Sequence, residues 1–99
     1  MQSFYPERFV RDMACTEAEW LAWLPAAIGA HGHALDDGAA RVTLGRGELR
    51  LQWQVQAPRV IALMRLPRLQ VSFHFEGVPE AQRLAFMQRF DLYTQRGGG

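Results

Sequence analysis

The sequence predicts an α+β fold in two layers: an antiparallel meander sheet of four to five strands with two helices packed on one face, in the order β-α-β4-α. Three observations carry this. The middle of the chain alternates apolar and polar residues with period two, a capping-box helix start precedes it, and a proline-led helix start with a broad apolar face follows it.

Taken in order, Glu7 to Ala14 places Phe9, Arg11 and Met13 in one phase and Val10 and Asp12 in the other, which reads as an edge strand. Thr16 with Glu19 three residues later forms a capping box. Trp20, Leu21, Leu24, Ala27 and Ile28 then recur at helical spacing, so a helix runs from about Glu17 to Ala30. Pro25 lies inside it and is expected to kink or split it, because it removes a backbone donor and crowds Leu21. Aromatic residues on the buried stripe of a helix are core, which is the role expected of Trp20 and Trp23. His31 to Gly38 is a glycine-rich connection in which His33 to Asp36 begins a strand and Asp37-Gly38 marks a turn.

The regular strands follow. Gly45-Arg46 suits a two-residue turn that sets Val42 opposite Leu49, Ala40 opposite Leu51 and Arg41 opposite Arg50. Leu49, Leu51, Trp53 and Val55 form one inward set, Val60, Ala62, Met64 and Leu66 a second, and Leu69, Val71, Phe73 and Phe75 a third. With hairpin tips at Ala57-Pro58 and Pro67-Arg68, every inward pair is apolar, and a one-residue slip would turn a hydrophobic set outward. This register aligns Arg41, Arg50 and Arg65 across neighbouring strands, with Arg65 opposite Gln70 and Arg59 opposite Glu76. Gly77-Val78-Pro79-Glu80 then starts a helix that runs to about Thr94 and lies across the dry side of the sheet.

The arginine row is the candidate site. Like charges directly across a strand pair destabilise a sheet, whereas the planar guanidinium fork matches a carboxylate or phosphate. Arg41, Arg50 and Arg65 are therefore expected to bind an anionic small molecule or an acidic protein surface, with Gln52 and Gln70 orienting it. Residues 1 to 40 carry two arginines and six acids and residues 41 to 75 six arginines and one acid, so a basic sheet follows an acidic front half. All eleven basic residues are arginine, and asparagine is absent while Ala, Gly and Arg abound. That bias also fits a GC-rich bacterial genome. Nucleic-acid binding is expected to be nonspecific at most, because Trp53, Phe73 and Phe75 fall in the buried phase and leave no ring for stacking. Ile61 and Leu63 form an apolar island on the outer face flanked by Gln52, Gln54 and Ser72. A homodimer through the sheet is the rival reading, with the arginines reaching acids of the partner such as Asp36, Asp37, Glu17 or Glu19.

Other chemistry finds little support. His31-Gly32-His33 with Asp36 and Asp37 resembles the H-x-H-x-D-H motif of metallo-hydrolases, but the spacing is off by one and the last histidine is missing; no metal and no cofactor is expected. No nucleophile elbow, phosphate loop, dinucleotide fingerprint or CxxC pair occurs, so no catalytic residue is assigned and a non-enzymatic protein is expected. The lone Cys15, just before a helix start, reads as a small apolar residue, and a chain without an internal disulfide suits the cytoplasm. No apolar run is long enough for a membrane span. Ninety-nine residues make one domain, with residues 95–99 as a flexible tail. That tail, Arg96-Gly97-Gly98-Gly99, resembles the end of ubiquitin-like modifiers and sulfur carriers, which implies a carrier activated at its last glycine as a further alternative. The element order resembles the TATA-binding-protein-like and helix-grip arrangements in topology over most of the chain. No motif is shared, so the resemblance implies a fold and no function.

Overall fold

Thr16 opens the first helix in the way its sequence dictates. Its side chain accepts from Glu19 N at 3.1 Å, and Glu19 Oε1 accepts from Thr16 N at 2.9 Å, completing the capping box. The computed structural model describes residues 4–94, so the expected tail at 95–99 lies outside the described residues. The elements are β1 (Arg8–Met13), α1 (Glu17–Ile28), β2 (His33–Asp36), β3 (Ala39–Leu44), β4 (Gly47–Ile61), β5 (Met64–Glu76) and α2 (Glu80–Thr94). The five strands form one antiparallel sheet in the order β1-β5-β4-β3-β2. The predicted β-α-β4-α order is therefore the observed one.

Pro25 does not split α1, which runs unbroken to Ile28. Only one turn of helix lies beyond the proline, and Leu21, whose carbonyl loses its partner there, is exposed to water. The helix ends short of Ala30 because Gly29 turns to φ 73° and donates to Pro25 O at 3.0 Å.

The dry side of the sheet supplies Leu49, Leu51, Trp53, Leu69, Val71, Phe73 and Phe75 to the core, α1 supplies Trp20, Leu24 and Ile28, and α2 supplies Phe86, Met87 and Phe90. Trp20 packs edge-on against both Trp53 (5.6 Å) and Phe90 (5.7 Å), so it belongs to the core. Truncating it would cost about 3–5 kcal/mol. Arg83 is buried and donates to Tyr5 O and Val78 O, tying the segment before β1 to α2.

The expected register holds on one side and fails on the other. Gly45 takes φ 59° in its turn, and Val42 faces Leu49, Ala40 faces Leu51 and Arg41 faces Arg50 as predicted. The two short hairpins predicted downstream do not form. Instead β4 and β5 make one long hairpin that turns at Ala62-Leu63, pairing Leu49 with Phe75, Leu51 with Phe73, Trp53 with Val71 and Val55 with Leu69. Ala57 and Pro58 are not a tip: together they oppose Pro67 in a β-bulge between the pairs Gln56–Arg68 and Arg59–Leu66. The long hairpin sets Phe73 and Phe75 against Leu51 and Leu49 rather than against Ala62 and Val60, which buries larger apolar pairs.

Candidate functional site

On the open side of the sheet, the observed register lines up Arg8, His74, Arg50 and Arg41 on neighbouring strands, one from each of β1, β5, β4 and β3. Two of the three predicted arginines are in this row. Arg65 is not: it faces Val60, nine residues along β5 from His74, or about 30 Å at strand rise. The predicted contacts Arg50–Arg65 and Arg65–Gln70 therefore do not exist, because residues 57–66 extend the β4–β5 hairpin instead of folding back as a middle strand. Arg59 likewise lies by Asp12 (3.7 Å), which also binds Arg68 (2.9 Å), and not by Glu76.

The next rows of the same face complete the site. On one side lie Glu48 and Glu76, directly opposite each other. Glu48 accepts from Arg50 Nε at 2.5 Å and sits 3.7 Å from Arg41, while Glu76 sits 3.4 Å from Arg50. The hydrogen bond from Arg50, aided by the nearby charges of Arg41, Arg50 and His74, holds the Glu48 carboxyl below its usual range, and its burial penalty only partly opposes this. The Arg50 guanidinium is shifted up by the same bond and by the charges of Glu76 and Glu48. On the other side of the row, Gln52 faces Ser72 and Gln54 faces Gln70. These four polar side chains line a trough of about 440 Å³ that reaches the Asp37-Gly38 turn. Arg41, Arg50 and Gln52 share the wall of a second concavity of about 390 Å³ beside β2.

The face thus offers a line of groups able to donate to an anion, with carboxylates along one flank and amides along the other. Arg8 is exposed and makes no ion pair among the described residues. Sequence reasoning missed Arg8 and His74 as members of the row. Alternation puts His74 on the wet side of its strand; what it lacks is the register of β5 and the pairing of β1 with it, which bring in Arg8.

The remaining candidates are dispersed. Ile61 and Leu63 do not flank Gln52, Gln54 and Ser72; they sit at the far end of the long hairpin, with Ile61 paired to Met64. His31 packs on the Phe86 ring, and among the described residues no three His, Cys, Asp or Glu side chains gather to hold a metal ion. Cys15 is buried, and burial with the charge of Glu19 pushes its thiol up to about 11, which leaves it a poor nucleophile. Trp53, Phe73 and Phe75 are buried, as alternation required. Among the described residues no helix is long and apolar enough to cross a membrane. No protein-family model, no curated protein and no solved structure matches the chain.

Proposed function

We propose that the protein is a non-enzymatic binding protein whose open sheet face holds an anionic ligand or an acidic protein surface at the row formed by Arg8, His74, Arg50 and Arg41. The observation that carries this reading is the register itself, which brings four groups able to donate to an anion from four different strands onto one line. Glu48 and Glu76 neutralise one flank and fix the Arg50 guanidinium, so the ligand enters from the glutamine side. There Gln52 and Gln70 supply neutral donors and acceptors that orient it. An acid-lined flank also disfavours extended polyanions, whereas a single phosphate or carboxylate at the row meets Gln52, the next residue on the same face of β4 after Arg50.

Titration with inorganic phosphate and then citrate, followed by backbone and side-chain NMR shifts, tests the proposal. Shifts concentrated on Arg8, Arg41, Arg50, His74 and Gln52, weakened by Arg41→Gln, are expected. Shifts spread evenly over the chain, or confined to α1 and α2, would remove the reading.

A further inference from the structure

The helical layer ends before the sheet does. β3 pairs with β4 only as far as Gln52 and β1 pairs with β5 only as far as Leu69, so residues 55–68 project as a two-stranded arm from a molecule 47 Å long and 21 Å thick. Five of the ten large apolar side chains exposed among the described residues lie on it: Val55, Val60, Ile61, Leu63 and Met64. A two-stranded ribbon is marginal in water by itself, and apolar groups gathered on it mark a contact surface.

We infer that the arm is a dimerisation device that lies face to face with the arm of a second copy of this chain. Both strands of the arm carry a proline, Pro58 and Pro67, which withhold backbone donors from any strand added at its edges. Docking is therefore through a face. The bulge at Ala57-Pro58 resets the alternation of β4, so Val55 and Val60, five residues apart, share the side of the sheet that the helices cover elsewhere. On this side Val55 and Val60 are 67% and 60% exposed, whereas Leu69, opposite Val55 at the root of the arm, is fully buried. A second arm laid under the first supplies the missing layer.

Charge selects a copy of the same chain as the occupant. Arg65 shares the Val60 face near the tip and makes no ion pair among the described residues. An acid stands at the root on this side: Glu17 accepts from Trp53 Nε1 at 2.8 Å. Two arms running antiparallel about a twofold axis set the tip of each against the root of the other, so Arg65 meets Glu17 of the second copy twice. A two-stranded face some 23 Å long covers on the order of 300–400 Å² per copy, less than the roughly 800 Å² of a standard interface, so the dimer is weak and concentration-dependent.

Sedimentation velocity of the full chain from micromolar to millimolar concentration is the test. Reversible dimers are expected, weakened at least roughly tenfold by Val60→Asp. Ile61→Asp, on the opposite face of the arm, is expected to leave association within roughly threefold of the parent chain. Both sites are exposed, and far-ultraviolet circular dichroism confirms that each variant is folded. Arg65→Glu is expected to weaken the dimer, and Arg65→Glu with Glu17→Arg to restore it. A chain that stays monomeric to millimolar concentration, as it would if the arm served a different protein, overturns the inference. So does a dimer that Val60→Asp leaves intact, or one that Ile61→Asp breaks equally well.

Discussion

Replacing Asp91 by Ala tests what holds the edge strand β1 to the helical layer. Arg11 reaches from β1 to α2 and donates to Asp91 through Nη1 at 2.5 Å and Nη2 at 3.1 Å, and the Tyr5 hydroxyl donates to the same carboxylate. The guanidinium also lies 5.5 Å from the Phe9 ring centroid and 5.4 Å from that of Phe73. Burial works hardest against the charge of Arg11, yet its hydrogen bonds to Asp91, the Asp91 charge and Tyr5 together outweigh it and shift the group upward. Without Asp91 that cation stays on an apolar surface with no counter-charge. Breaking a buried pair costs about 3–5 kcal/mol. The two side chains here keep 18% and 17% of their exposure, so the lower end applies, about 3 kcal/mol. In a domain of this size that lowers the melting temperature by about 12–24 °C. Urea titration monitored by tryptophan fluorescence should show an earlier midpoint at an unchanged slope. The double variant Arg11→Met with Asp91→Leu removes both charges and fills the space, and should return to within about 1 kcal/mol of the parent chain. A loss below about 1 kcal/mol for Asp91→Ala, or a double variant no more stable than the single one, would refute the assignment of the pair as the strand's anchor.

Arg50→Ala should lower stability in chemical denaturation, because Glu48 and Glu76 would then face each other directly; a gain would mean that repulsion among the row's cations dominates instead. The depressed titration of Glu48 sets the sign in acid: its contribution is fully present above the ordinary carboxylate value and is lost as pH falls through the lower folded value. Denaturant midpoints recorded from neutral pH down through this range should therefore fall less steeply in Glu48→Gln than in the parent chain, and equal slopes would contradict the proposed network.

Much of the fold was legible because its signals are local. Thr16 and Glu19 announced α1, Gly45-Arg46 fixed the β3–β4 register, and alternation assigned faces from β3 through the core half of β5. The long hairpin was illegible for two linked reasons. Ala57-Pro58 carries the chemistry of a turn but forms a bulge, while the real turn falls on Ala62-Leu63, where Ala62 adopts φ 54° without the glycine or asparagine that usually marks such a position. The pairs that Leu49, Leu51, Trp53 and Val55 make are apolar in either arrangement, so periodicity could not choose. The choice depended on which pairing buried the larger groups against α1 and α2, and that is a property of the assembled layers.

The site changed its electrostatic character with that one register. A middle strand carrying Arg65 would have made three like charges in line, a strained arrangement that calls for a ligand merely to exist. The observed strand brings His74 beside Arg50, carries Glu76 to the neighbouring row and moves Arg65 out to the arm. Arg50 is thereby held by two carboxylates without any ligand, and the row needs no anion for its own stability. In the proposed reading an anion is instead held by Arg8, which makes no ion pair among the described residues, by His74, and by the amide of Gln52 along the open flank. The arm follows from the same event. Residues that would have filled a middle strand are carried beyond the helices, so the choice that leaves the sheet face balanced also creates the exposed apolar ribbon that a second chain can cover.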